Sequence, residues 1–444
     1  MRFKALVPRR SGIGLVPAPR RPEATPEEPD TATPDTATPD TVTSETATSG
    51  SGTVEVAAPE AEAPGPAGSR ERSRTVLGAV ASVLLYALLR AVGVLALWAY
   101  ADARHRNLDL WHVLTRFDAA FYQRVALHGY DRTIAFTAAG LPRPTNLAFF
   151  PLYPWLTALV RNALAVDVLT AQVVVSWTAG ALAAAGLYAI GTHLRSRPTG
   201  IVLAGLFAVL PHAVVESMGY SETLFTALAA WSLWAVLRRY WLSAALLCVL
   251  AGLTRPTSAA LVAAVGLAAL VAVIRRPREW RAWVAMPLAP LGLLGYMWWV
   301  GDRLGRWDGY FVVQNEAWKM GFDWGAYSYT TLGTLLTSAP PLAFAVTTAV
   351  VITGFGLWLI GFGERIPWPL MVYAGVMLAL VLGGDGYYWA KARLLLPAFP
   401  LLIPVALAIV RSRNRLVPYV VFALLTALST GYGVYLLLYW GHSP

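Results

Sequence analysis

The sequence is poor in the residues on which most soluble enzymes depend. Its 444 residues include one cysteine, Cys248, which excludes a disulfide framework and any thiolate metal site. Charged residues make up 14% of the chain, against about 25% in an ordinary globular domain. Lys4, Lys319 and Lys391 are the only lysines, so nearly all of the 35 cations are arginine. The six histidines, His105, His112, His128, His193, His212 and His442, are scattered. None pairs at i, i+4 around a glutamate, which argues against that kind of zinc site. No Gly-rich loop ends in Lys-Ser/Thr, and no Gly-x-Ser-x-Gly elbow exists. The net charge of +10 sits in clusters without interleaved stacking aromatics, so nucleic acid is not an expected partner.

What is abundant is apolar. The chain is 57% hydrophobic with a mean hydropathy of +0.53, which excludes an ordinary soluble protein. Residues 1 to about 73 are a different material. Thr31-Ala-Thr-Pro-Asp35 repeats at once as Thr36-Ala-Thr-Pro-Asp40 and then decays into Thr, Ser, Glu and Gly. Such a stretch has too little apolar surface to offset the entropy of ordering, so a disordered tail is expected. Arg9, Arg10, Arg20 and Arg21 are read as solvated, although they could touch an anionic lipid surface.

From Val76 onward, apolar runs suited to a hydrocarbon core of about 30 Å recur. Spans are expected near 76–100, 168–194, 199–215, 221–237, 240–254, 257–274, 282–301, 339–361, 366–383, 394–410 and 416–440. The predicted fold class is therefore an all-α polytopic membrane protein of about eleven helices, filling residues 74–444. Arginine clusters at 70–74, 195–197, 238–239, 275–281, 365 and 411–415 all fall on the side of the N-terminus. That side is cytoplasmic by the positive-inside rule. Loops at about 101–167 and 302–338 then face outward. Leu147–Ala165 is ambiguous, because a crossing there would flip every later cluster. It is placed along the outer interface, with Phe149, Phe150, Tyr153 and Trp155 as interfacial aromatics.

A large loop directly after the first helix suits an enzyme at the membrane surface better than a simple carrier. Within it, Phe117, Phe121 and Val125 recur at four-residue spacing, and Asp118, Tyr122 and Val125 follow the adjacent row, which predicts a surface helix. On spacing alone, Asp118 is a helix cap, since Thr115-Arg-Phe-Asp118 fits a capping box. Glu222 is read as a first-turn acid favoured by the helix dipole. Arg255 stands where arginine is scarce, between two short apolar helices, and needs an anion or carboxylate partner. The turn Gly383–Arg393 adds Lys391 and Arg393 on the same side. No Asp-x-Asp pair lies in either outer loop, which leans against a metal-dependent transfer. No metal or cofactor is expected.

Four motifs stand in order along the chain: Arg116-Phe-Asp118-Ala-Ala-Phe-Tyr122 with His128-Gly-Tyr130, Ala148-Phe-Phe-Pro151-Leu-Tyr-Pro154, Tyr220-Ser-Glu222-Thr-Leu-Phe225 with Thr254-Arg255-Pro256, and Lys391-Ala-Arg393-Leu-Leu-Leu-Pro397. Over residues 76–440 they resemble the PIG-V family of mannosyltransferases, within the GT-C class of membrane glycosyltransferases. Phe117 stands where that family often carries tryptophan. The resemblance implies transfer of a hexose, mannose in that family, from a polyprenyl-phosphate-sugar donor to an extracytoplasmic glycan or glycolipid acceptor, with inversion. It implies Asp118 as the catalytic base and Arg255, Lys391 and Arg393 as donor-phosphate ligands. Arg116, Tyr122, His128, Tyr153, Tyr220 and Glu222 become substrate-binding candidates. The implied location is a multi-pass protein in a bacterial plasma membrane, with its N-terminus cytoplasmic and its active site outside. The principal alternative is a lipid or sugar transporter or flippase. A transporter typically hides an ionisable group near the bilayer midplane, whereas nearly all charges here are assigned to the interfaces.

Overall fold

In this computed structural model the described residues, 66–104 and 109–444, fold almost wholly into helices. Two isolated bridges, Phe136–Pro142 and Phe322–Gly384, are the only β pairings among them. The tail expected over 1–73 lies, as far as residue 65, outside the described residues.

Helix α1 (Pro66–Ala103) leads into α2 (Leu110–Leu114), α3 (Asp118–His128) and α4 (Leu152–Leu164). The bundle continues through α5 (Val168–Leu194), α6 (Arg197–Ala208), α7 (Glu222–Leu237), α8 (Trp241–Gly252) and α9 (Ala259–Arg275). Next come α10 (Trp280–Leu288), α11 (Leu291–Arg303), α12 (Gly309–Val312) and α13 (Ala326–Thr337). The chain proceeds through α14 (Leu342–Gly363), α15 (Trp368–Gly383), α16 (Lys391–Leu394), α17 (Ile403–Arg411) and α18 (Val417–Leu438). Six segments are long and apolar enough to cross a membrane, or seven if the bent pair around α16 and α17 is one span. The protein is therefore an all-helical, polytopic membrane protein. The other expected spans also hold helices, but α6 and α8 have 12 residues each and α7 and α15 have 16.

Proline explains where the expected spans break. The run 199–215 is not one helix, because α6 stops at Ala208 and a 3-10 turn occupies Ala213–Ser217. Pro211 lies between them, lacking the N–H that a continuing helix needs. The run 394–410 is not one helix either: Tyr388–Leu394 and Phe399–Arg411 meet at a 76° bend, with Pro397 in the break between them. Pro287 and Pro290 divide 282–301 into α10 and α11. The Leu147–Ala165 segment is a short turn followed by the 13-residue α4, about 20 Å of helix. Its aromatics are not the interfacial set expected. Phe149, Phe150 and Tyr153 are buried, and only Trp155 is exposed. They pack inward because Phe121 and Tyr122 of α3 and Tyr296 of α11 supply edge and face partners.

Inside a bilayer, lipid tails are as apolar as leucine, so helix association depends on close approach of small residues. Gly191 of α5 meets Gly200 of α6, where an added Cβ would lie 2.6 Å from a backbone Cα. Gly252, ending α8, meets the Gly292–Leu293 backbone of α11, with 2.5 Å to Leu293 N. That second contact fixes the chain just before Arg255.

Four of the expected arginine clusters meet at one end of the bundle. Arg195 donates to the Glu364 carbonyl at 3.2 Å, Arg411 chelates the Glu364 carboxylate at 2.7 and 2.8 Å, and Arg197 pairs with Glu71. With Cys248 replaced by alanine, Ala139→Cys and Trp324→Cys are expected to react with an impermeant thiol reagent outside intact cells, and Arg413→Cys is not. The opposite pattern would invert the orientation.

Candidate active site

The other end of the bundle gathers four charged side chains from four separate segments. Asp118 is the first residue of α3, and Glu222 is the first residue of α7. Both carboxylates thus sit at helix N-termini, where the dipole favours negative charge. Arg255 follows α8 in an extended conformation, and Arg393 lies in α16. Arg393 Nη1 meets Asp118 Oδ2 at 2.8 Å, and its Nε lies 3.3 Å from Glu222 Oε1. Arg255 Nη1 lies 2.9 Å from the same Glu222 oxygen. The cation that needed a partner has one: Glu222 holds two guanidiniums.

The network is buried but not saturated. Side-chain exposure is 4% for Glu222, 10% for Arg255 and 11% for Arg393, against 21% for Asp118. Asp118 is therefore the member best placed to meet a substrate. Although they are in ion-pair contact, neither Arg255 Nη1 nor Arg393 Nε has a hydrogen bond of good geometry among the described residues. Buried donors in that state favour an anion that can accept from them.

Asp118 does not cap its helix. The Thr115 hydroxyl instead donates to Trp111 O at 2.7 Å, and the cap residue Phe117 makes no side-chain cap bond. Phe117 has φ 58° and ψ −119°, a region that favours glycine and costs a larger residue about 1–3 kcal/mol. The strained turn aims the first residue of α3 at Arg393.

A second set of polar groups supports this arrangement. Tyr220 stands under the Arg393 guanidinium, with 5.3 Å to the ring centroid, and its hydroxyl is 3.2 Å from Ser443 Oγ. The Tyr122 hydroxyl is 2.8 Å from Ser221 Oγ. Burial holds the Tyr122 phenol well above its ordinary pKa, so it acts as a neutral hydrogen-bond partner. Fully buried Tyr153 donates to Gln172 O at 3.0 Å and meets Ser176 Oγ at 2.8 Å, and Ser176 in turn donates to Tyr220 O at 3.2 Å. Tyr122 and Tyr153 therefore brace the segment that carries Tyr220, Ser221 and Glu222.

Three of the expected residues lie outside the cluster. Lys391 spends its ammonium on Ser328 Oγ, Val381 O and Gly384 O at 2.6 to 2.9 Å, where a cation complements the C-terminus of α15. Arg116 is exposed and lies over the Phe117 ring at 5.0 Å. His128 is exposed at the end of α3. Asp131, a conceivable second base, is tied to Arg124, Thr145 and Asn146 N at 2.8 to 3.1 Å. No group of three His, Cys, Asp or Glu side chains among the described residues converges on a metal position.

Two features escaped the sequence. Ser443 joins the cluster, receiving a hydrogen bond from Arg393 Nη1 at 2.9 Å; a serine far from every motif gives no signal. The second is a buried group inside the bundle. Arg90 of α1 is 4% exposed and donates to Ala213 O, beside the buried Glu216 and His212. Arg90 lay within a long apolar run, so the assignment of nearly all charge to the interfaces needs correction there. Its guanidinium is tolerated because a broken helix leaves a free carbonyl at that depth.

No protein family matches the sequence, and no curated protein does. Among solved structures, similarity is found to the archaeal oligosaccharyltransferase AglB from Archaeoglobus fulgidus, in complex with an inhibitory peptide and a dolichol-phosphate. Identity is 14% and the TM-score 0.42, covering 83% of this chain and 55% of that one. The chain spans about half the length of that protein.

Proposed function

We propose that the protein is a membrane glycosyltransferase, moving a hexose from a polyprenyl-phosphate-sugar donor to an extracytoplasmic glycan or glycolipid hydroxyl with inversion. The resemblance of its motifs to PIG-V enzymes favours mannose. The observation that carries the reading is the cluster itself: one part-open carboxylate beside two buried guanidiniums with hydrogen-bonding capacity to spare. An apolar groove of about 360 Å³ supports a lipid-borne donor. It is lined by Ala392 and Leu395, which flank Arg393, and by Val346, Val350 and Leu402.

The chemistry needs little more. The acceptor oxygen attacks the anomeric carbon on the face opposite the phosphate, and the carbon–oxygen bond to phosphate breaks with its electron pair leaving on the phosphate. A polyprenyl phosphate is a tolerable leaving group, so no acid has to protonate it. Arg393 and Arg255 take up the developing charge, the largest catalytic term at a low-dielectric site. Asp118 accepts the acceptor's proton late in the attack. The phosphate draws on the same guanidinium that holds Asp118, so donor binding and release of the base are coupled through Arg393.

Arg255→Ala is expected to weaken donor binding and transfer together, because phosphate is present in both ground and transition states. Arg255→Lys should restore only part, since a point charge replaces a planar fork. Unchanged donor affinity in Arg255→Ala would reduce Arg255 to a structural partner of Glu222. Arg90, Glu216 and His212 are the observation that favours a transporter instead. Arg90 bonds a backbone carbonyl, a brace rather than a moving charge, and lipid scrambling by reconstituted protein without sugar transfer would reverse that preference.

A further inference from the structure

The candidate site already contains a hydroxyl. After α18 the chain folds back, and Ser443 Oγ lies 2.9 Å from Arg393 Nη1, 3.2 Å from Tyr220 OH and 3.5 Å from Asp118 Oδ1. Trp389 Nε1 donates to Ser443 O at 3.1 Å. The His442 ring packs on both Trp389 and Trp440, with centroids 5.0 and 5.2 Å away, and the two tryptophans touch each other at 5.8 Å. Pro444 is buried. None of these contacts is needed to end α18, since Tyr439 N and Trp440 N already bond Tyr435 O at 3.0 Å.

We propose that Trp440–Pro444 is a built-in stand-in for the acceptor, with Ser443 Oγ holding the acceptor hydroxyl's place until an acceptor displaces the segment. The proposal rests on the transferase reading of this site. The hydroxyl receives a hydrogen bond from the guanidinium and is within reach of the proposed base, which is what an attacking hydroxyl requires. His442 covers Trp389 at 5.0 Å with the two rings tilted by 38°, the place a sugar ring would take. The acceptor class is therefore a sugar hydroxyl whose ring stacks on Trp389. The segment is seated incompletely: Trp440 Nε1 is buried with no hydrogen-bond partner among the described residues. A group left in that state makes the seat easier to leave.

Two measurements on the full chain in nanodiscs test this. In a Cys248→Ala background, Ser443→Cys should react with a soluble thiol reagent far more slowly than Arg413→Cys. Adding Trp389→Ala, which removes the anchor of the segment, should accelerate it about tenfold, the scale of one lost hydrogen bond. A thiol at position 443 that reacts as fast as the one at 413 from the outset overturns occupancy. In the transfer assay, Ser443→Ala should lower the acceptor KM several-fold. An unchanged or raised acceptor KM overturns the stand-in. So does wild-type protein that gains one hexose at Ser443, because the segment would then be a substrate. A protected thiol with no transfer in any variant sinks the transferase reading and the acceptor identity, while occupancy stands.

Discussion

Asp118→Asn should cut sugar transfer by about 10²–10⁴-fold at unchanged expression, with donor affinity close to wild type. Two roles compete for this residue, and they forecast different outcomes. A capping acid loses about 1 kcal/mol of helix stability on removal, and activity then follows the amount of folded protein. The carboxylate instead contacts Arg393 at 2.8 Å, and the capping-box partner Thr115 is engaged with its own helix. Asparagine keeps the shape and one acceptor oxygen for Arg393 but cannot take a proton. Because Glu222 remains beside Arg393, the guanidinium is not left unpaired and the fold should hold. Transfer and donor affinity measured in one nanodisc preparation decide the matter. Transfer within a few-fold of wild type would move the base to Glu222, since Asp131 is fully committed to its own loop.

Glu222→Ala should act on folding rather than on chemistry. The carboxylate is 4% exposed and shared by Arg255 and Arg393, so its loss leaves two buried cations without their common partner. Breaking a buried pair costs about 3–5 kcal/mol, a large share of the 5–15 kcal/mol that holds a typical fold. The expected result is a sharp drop in monodisperse protein and in melting temperature. Arg255→Ala should be much milder, because Glu222 keeps Arg393. The double replacement Glu222→Ala with Arg255→Met should recover part of the loss, as one uncompensated charge is then gone. Thermal unfolding in one detergent compares the three. A Glu222→Ala protein as stable as wild type would mean that water, not Glu222, neutralises the arginines.

The fold was legible wherever one run of residues carried its own signal. Apolar length found a helix in every expected span, and four-residue spacing found α3. Proline positions were visible too, yet what they do to a span depends on neighbours that re-satisfy the freed backbone. That is why 199–215 and 394–410 looked continuous. The site was legible as a set of residues but not as a pairing. Asp118, Glu222, Arg255 and Arg393 each stood out by type and position; that Glu222 bridges both arginines is a fact of helix packing. Lys391 shows the converse. Its sequence neighbourhood matches that of Arg393, but two residues along a helix turn the side chain to the end of α15. Phe149, Phe150 and Tyr153 failed as interfacial aromatics because their type suits a headgroup belt and a buried aromatic cluster equally.

The central claim is that this cluster transfers a sugar from a lipid phosphate, and turnover of labelled polyprenyl-phosphate-mannose by the purified protein in nanodiscs tests it most directly. Supplied with a glycan or glycolipid acceptor, the wild-type protein should move the label to that acceptor with inverted anomeric configuration. Asp118→Asn should bind the donor and leave the label where it was. Label that remains on the lipid carrier with wild-type protein, or that reaches the acceptor equally well without Asp118, would contradict the account.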